Sequence, residues 1–259
     1  MIELDVNLVK EIVEKNDRLD GRKFDEYREV VIEPGIVSSA EGSARVKLGD
    51  TMLVAGVKMQ IGEPFPDTPN EGVLIVSAEL VPLASPEFES GPPGEQAIEL
   101  ARVVDRAIRE SKCIDFKKLF IEEGKVWMVF VDIDVLDHDG NLIDAAGIAA
   151  AAALINARIP QIENDKAVSD KKGTEGLPLN GTPISTTFVK IGSNILVDPN
   201  LAEFKALDAR LTVGTIDIGG KIKACSMQKG GSSGFTIDEI EKILEMAEKK
   251  GEELRKKIA

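Results

Sequence analysis

Residues 145 to 157 read AAGIAAAAALINA, small and apolar on every side. A helix built from them has no face to offer water, so it must be buried between layers of other structure. The chain of 259 residues is long enough to supply those layers, as one large domain or two small ones packed together. The run is preceded by DHDGNLID, residues 137 to 144, an acidic glycine turn. Whether that turn is a catalytic loop, a metal loop or a hinge from strand to helix decides what the chain does.

The segments on either side predict sheets. Residues 26 to 60 hold REVVIEPGIV, GSARVKLGDT and TMLVAGVKMQ, alternating apolar and polar residues broken by glycines, and GVLIVSAELVPLA continues the pattern. Next to the turn, KVWMVFVDIDVL sets Trp127, Val129, Val131, Ile133 and Val135 on one face and Asp132 and Asp134 on the other. Later come ISTTFVKIGSNILVDP, ARLTVGTIDIGG and KIKACSMQKGG, all strand-like. An amphipathic helix is predicted over residues 5–16 from Val6, Leu8, Val9, Ile12 and Val13. A second follows Gly91-Pro92-Pro93-Gly94, with Ile98, Ala101, Val104 and Ile108 as its apolar stripe, and a third follows the capping box Thr236 and Glu239, with a basic last turn. Strands closed by helices thus occur twice, which predicts an α+β fold of two similar packed halves. Residues 160 to 183 are polar and rich in glycine and proline, and read as the connector. The expected division is an N-terminal subdomain over 1–165, a connector over 166–183 and a C-terminal subdomain over 184–259.

Charge and residue counts narrow the chemistry. Cys113 and Cys225 form no CxxC and have no histidine pair nearby, so a disulfide framework and a zinc site are both unsupported, and two buried thiols are expected. His138 is the single histidine, which argues against Ser-His-Asp or Cys-His catalysis, and beside its turn it is expected to be solvated. A net charge of −13 repels phosphate backbones at long range, so nucleic-acid contact needs a local basic patch or a basic partner. No apolar run reaches the roughly 20 residues that cross a bilayer and the first residues are unlike a secretory signal, so a cytoplasmic protein is expected.

Four stretches bear on chemistry by residue type. With Gly140 at the sixth position of a calcium loop, Val135 and Ala146 occupy its two ends, so the end carboxylates are missing and the metal reading fails. A turn whose Asp and Asn bond nearby amides is the plainer reading. QKGGSSGFT, from Gln228 to Thr236, could offer backbone amides to a phosphate ahead of a helix but lacks the Gly-Lys-Ser/Thr ending of a P-loop, and reads mainly as a turn. Asp198, Glu203 and Asp208 could act as acids or metal ligands, yet their uneven spacing reads as a solvated turn. Arg102, Arg106 and Arg109 form a row on the second helix. The bland alternative pairs Glu99 with Arg102 and Asp105 with Arg109, but three arginines in line are the best candidate for a phosphate track in an acidic chain.

RLDGRKFDEYREVVIEPG, EGSARVKLGDT, DTPNEG, GPPGEQAIELARVVDRAIRES, LDHDGNLIDAA and LVDPNLAEF occur in an order that resembles the RNase PH-like family over nearly the whole chain. Within it the likeness is to non-catalytic subunits of the archaeal exosome ring. The resemblance implies an RNase PH-like fold of two subdomains with an N-terminal helix. It also implies an alternating hexameric ring with a catalytic RNase PH-like partner, RNA-binding cap proteins of the exosome, and RNA as ligand, with no DNA, membrane, metal or cofactor. Active members degrade RNA from the 3′ end with inorganic phosphate as nucleophile. Their turn resembles DGGTR, and its arginine and hydroxyl bind phosphate; Ile143 and Asp144 stand at those places here. Phe204 stands where the acidic motif has its catalytic aspartate, and Asp208 matches a second family aspartate only across a gap. The resemblance therefore implies a non-catalytic subunit that shapes its partner's active site and holds the RNA 3′ end through Arg102 and Arg106. The alternatives are a self-sufficient phosphate-dependent 3′-to-5′ exoribonuclease and a ring spacer without RNA contact.

Overall fold

The computed structural model describes residues 6–163 and 166–258. Helix α1 (Val6–Glu14) leads into strands β1 (Val30–Pro34), β2 (Gly42–Leu48), β3 (Thr51–Gly62) and β4 (Val73–Leu80), then α2 (Glu95–Glu110), β5 (Phe120–Glu122) and β6 (Lys125–Asp137). These strands make one sheet in the order β1-β2-β3-β6-β4, with the short β5 beside β6. Only β4 and β6 run parallel, because α2 carries the chain back across the sheet between them.

Helix α3 (Leu142–Asn156) follows β6 directly, and all its residues from Ile143 to Leu154 are buried. It lies against β2 and β3 on one side and β9 (Pro183–Ile191) on the other, as a helix without a polar face must. Close approach needs small groups: a Cβ on Gly42 of β2 would sit 2.6 Å from the Cα of Ala157. The second sheet, in the order β10-β9-β11-β12, is antiparallel throughout, with β10 (Asn194–Val197), β11 (Ala209–Ile218) and β12 (Lys221–Gly231). Between β10 and β11 stands α4 (Leu201–Ala206), and α5 (Ile237–Ile258) closes the chain over β9 and β11. One apolar core runs from Val46 and Leu53 through Ala149 and Ile148 to Ile184 and Ile216, so the two α+β halves share their packing at α3. The Thr236–Glu239 capping box forms as expected, with Glu239 N donating to Thr236 Oγ1 at 3.2 Å and Thr236 N donating to Glu239 Oε2 at 2.8 Å.

Three expectations change. The buried stripe of α2 is Ala97, Leu100, Val103, Val104, Ala107 and Ile108, while Ile98 is 53% exposed. Several stripes fit a 3.6-residue period in this sequence, and the sheet beneath selects the one that buries Leu100 and Val103. The polar connector holds strands β7 (Arg158–Glu163) and β8 (Lys166–Gly176), paired as an antiparallel ribbon. Backbone bonds stabilise that ribbon without an apolar alternation, so no side-chain pattern announces it. Of the two thiols only Cys113 is fully buried, which pushes its pKa up to about 11, and Cys225 on β12 is half-buried. Among the described residues no helix is long and apolar enough to cross a membrane.

Candidate functional site

The acidic turn after β6 meets the start of α4. Gly140 has φ of +86°, and a Cβ there would fall 2.6 Å from the amide nitrogen of Leu201, so glycine lets the two segments touch. Asn141 and Asp198 both adopt left-handed backbone, at φ of 52° and 49°. Such conformations persist where surrounding bonds fix them, and here a dense buried network does so. Arg28 forks onto Asp198, Nη2 to Oδ1 at 2.8 Å and Nε to Oδ2 at 3.0 Å, and its backbone N–H donates to Oδ2 at 2.8 Å. Arg22 Nη1 and Asn141 Nδ2 complete the shell, at 3.0 and 2.8 Å. Burial opposes the charge on Asp198, but these bonds and the Arg28 guanidinium outweigh it and hold its carboxyl below the usual range.

Asp144, in the first turn of α3, is fully buried. Its Oδ2 accepts from Tyr27 OH at 2.7 Å, Asn141 Nδ2 at 2.8 Å and Thr187 N at 2.9 Å, and its Oδ1 accepts from Thr187 Oγ1 at 2.7 Å. Desolvation dominates these donors and raises the carboxyl to about 6. With Thr187 Oγ1 donating to Asp144, the 2.8 Å contact between Thr187 and Thr212 must have Thr212 as donor. The carboxylate thus serves the interior rather than the open side of the turn. A phosphate near this turn would meet Ile143 and Asn141, which line the adjacent cavity, and not Asp144.

The segment from Asp198 to Asp208 is not the solvated turn its spacing suggested. Asp198 and Glu203 are buried, and Arg18, itself buried, grips Glu203 through Nε to Oε1 at 2.7 Å and Nη2 to Oε2 at 2.5 Å. Glu203 also completes a capping box with Asn200 at the start of α4. Asp208 binds Lys10 of α1 at 2.8 Å and the amide of Gly192 at 2.7 Å. Asp139 is paired with Arg28, while Asp137 accepts from the His138 amide, the local turn bond that was expected. His138 is half-buried rather than solvated: it stacks on Phe88 with ring centroids 5.3 Å apart, and burial lowers its pKa.

Above this network lies a cavity of about 490 Å³. Ile143 and Phe204, two of the three departures noted in the sequence, both line it, together with Leu100, Asn141 and Leu207. So does Arg210 of β11, whose guanidinium lies 5.7 Å from the Phe204 ring centroid and pairs with Glu99 of α2. Gly230 leaves room for it, because a Cβ there would stand 2.8 Å from Nη2. Gly230 and Gly231 thus form part of the cavity wall, at the end of β12.

Arg102, Arg106 and Arg109 are exposed along one side of α2, and Ile98 is exposed on the same side. The side chains of Arg102 and Arg106 make no hydrogen bond or ion pair within the described residues, since Glu99 turns to Arg210 instead. Arg109 is engaged: Nη2 meets Asp105 at 2.7 Å and the carbonyl of Leu74 at 3.1 Å. Sequence reasoning missed Arg18, Arg28 and Arg210. The only signal for Arg18 and Arg28 was the cluster of arginines in RLDGRKFDEYREV, and spacing along the chain does not show which acids these two or Arg210 meet.

The chain matches the 3′ exoribonuclease family in both its domains, domain 1 over residues 26–160 and domain 2 over residues 181–250. It is 51% identical over 257 residues to an exosome complex component Rrp42 from Methanocella arvoryzae, covering 99% of this chain and 96% of that one. A chain of the Archaeoglobus fulgidus exosome with RNA bound to the active site superposes with a TM-score of 0.88 at 47% identity, over 98% of this chain and 97% of that one. A chain of an archaeal exosome core gives 0.84 at 44% identity, with the same coverage of both.

Proposed function

The chain belongs to the 3′ exoribonuclease family of RNase PH, and from that premise we propose that it is a non-catalytic core subunit of an RNA-degrading exosome. It pairs with a catalytic RNase PH-like subunit in an alternating hexameric ring in the cytoplasm, beneath RNA-binding cap proteins. There it shapes the partner's phosphorolytic site and helps hold the RNA 3′ end. Residues 1–165 and 184–259 are its two subdomains, and 166–183 join them.

One observation carries the non-catalytic reading. The cavity at the turn is walled by Ile143 and Phe204, which can neither bind phosphate nor move a proton. The remaining acids nearby are committed: Asp144 to Tyr27, Asn141 and Thr187, Asp198 to Arg28, Glu203 to Arg18. Phosphorolysis needs a cationic cradle for the nucleophile and an acid near the leaving 3′ oxygen, and the charged groups that line this cavity are already paired, Arg210 with Glu99 and Lys205 with Glu87.

The RNA role rests on α2. Arg102 and Arg106 are exposed and unpaired within the described residues, on a rigid helix. Arginines so placed hold backbone phosphates without reading bases, which suits a complex that accepts many RNAs. Arg109, bound to Asp105, contributes little.

Reconstitution tests this. The chain alone is expected to release no nucleoside diphosphate from RNA in phosphate buffer, while the chain with its catalytic partner does. Phosphorolysis by the lone chain would sink the reading.

A further inference from the structure

We propose that Lys112 and Lys117 continue the RNA track beyond Arg106 and hold the backbone of nucleotides upstream of the 3′ end. The proposal rests on the RNA reading of Arg102 and Arg106, and adds to it two binding residues and a dependence on RNA length.

Residues 102 to 118 carry six basic and three acidic side chains, in a chain whose net charge is −13. The long-range repulsion of a phosphate backbone is therefore reversed locally. The fold decides which of these charges are spent on each other. Glu99 is taken by Arg210, Asp105 by Arg109, and Asp115 by Lys118 at 3.7 Å. Of the acids from 102 to 118 only Glu110 has no ion pair among the described residues. Arg102, Arg106, Lys112 and Lys117 are all exposed, and their side chains make no hydrogen bond or ion pair among the described residues.

The backbone sets these cations in sequence. Ser111 closes α2 with right-handed helical dihedrals, φ of −70° and ψ of −17°, so the Cα of Lys112 still lies on the helical spiral. It stands about 15 Å along the axis from Arg102, on the flank that carries Asp105 and Arg109. The bend that follows is fixed by backbone and amide bonds. Lys112 has φ of 53°, its carbonyl accepts from Asn180 Nδ2 at 3.1 Å, and the carbonyl of Cys113 accepts from Asn180 N at 2.7 Å. Lys117 belongs to the one-turn helix Phe116–Leu119, which buried Leu119 anchors and which is tied to Gly72 N through the carbonyl of Phe116 at 2.9 Å. Cations on a fixed backbone lose little freedom when a phosphate arrives. Lysines so placed act as point charges on phosphates and do not read bases. An RNA that reaches only Arg102 and Arg106 misses these contacts, so the grip of the ring falls as the RNA is shortened.

The test measures RNA binding to the assembled ring in phosphate-free buffer, where the RNA is not phosphorolysed. Fluorescence anisotropy follows labelled oligoadenylates of about 5 and about 15 nucleotides, near the two ends of the usual range of single-strand site sizes. Lys112→Gln with Lys117→Gln is expected to weaken the longer RNA at least about fivefold and the shorter less than about twofold, and to make the salt dependence for the longer RNA shallower by about 1.4 in log–log slope. Lys249→Gln with Lys257→Gln removes the same charge from exposed positions on α5 and is expected to change neither. Unchanged affinity for the longer RNA, an equal loss at both lengths, or the same loss from the α5 pair would each overturn the proposal. Arg102→Gln with Arg106→Gln separates the two readings, since it should weaken both lengths. If it weakens neither, the RNA role of α2 falls; if it weakens both and the lysine pair does nothing, only the extension falls.

Discussion

Replacing Asp144 by asparagine should remove a pH dependence that the wild-type chain carries. Asp144 is fully buried and its carboxyl is raised from 3.8 to about 6, chiefly by desolvation. At ~1.4 kcal/mol per pH unit this corresponds to about 3 kcal/mol. The sign follows from which state holds the proton more tightly. The folded state does, so the contribution is most favourable below pH 3.8, where both states are protonated, and is lost as pH rises through about 6. The amide introduced by Asp144→Asn cannot titrate, while its oxygen can accept from Tyr27 and Thr187, and Thr187 Oγ1 can turn to accept from its NH₂ group. Other acids, such as Asp198 with its lowered pKa, work in the opposite direction but are common to both proteins and cancel in the comparison. The assay is urea unfolding of both proteins from about pH 4.5 to about pH 7.5. The wild type should lose about 2 kcal/mol relative to the variant across that range, with most of the change below about pH 6. A flat difference, or one that grows in favour of wild type with pH, would refute the reasoning: the four donors around the carboxylate would then outweigh its desolvation.

Arg18→Met leaves the Glu203 carboxylate buried without its fork and should destabilise the chain by about 3–5 kcal/mol, seen as a fall in unfolding midpoint; adding Glu203→Leu should restore most of it. In an assembled ring, Arg102→Glu with Arg106→Glu should weaken RNA binding and make its salt dependence shallower by about 1.4 in log–log slope, from two lost phosphate contacts at about 0.7 each. Arg109→Ala in the same assay should change the slope little, because Arg109 already holds Asp105, and unchanged affinity in the double variant would favour a ring spacer. Gly140→Ala should cost more than about 1 kcal/mol by chemical denaturation, since φ is +86° and the added methyl meets the backbone of α4.

Much of the fold was legible because its signals are local and repetitive. The alternation of Val129, Val131, Ile133 and Val135 marks a strand covered on one face, and the alanine run marks a helix covered on all. The Thr236–Glu239 box marks a helix start over a few residues. The stripe of α2 was misplaced because Ala97, Leu100, Val103 and Ala107 compete with Ile98 and Ala101 within one period, and only the neighbouring layers choose. The ribbon of β7 and β8 was missed because its stability lies in paired backbone, which leaves no mark on side-chain pattern.

For the site, the sequence by itself placed Ile143 and Phe204, which carry neither charge nor a titrating proton, where the resemblance to active relatives implies a cation and an acid. It also placed Arg102 and Arg106 on one helix, since their separation of four residues puts them on one face. Only the tertiary structure decided which charges are free. Arg28 finds Asp198 across 170 residues, Arg18 finds Glu203 across 185, and Arg210 takes Glu99 from Arg102 across 111. Pairing energy depends on distance and burial in space, and neither is a function of separation along the chain. The same charges that read as a solvated turn in sequence therefore close into a buried network in the fold, while the side chains of Arg102 and Arg106 stay exposed and unpaired within the described residues.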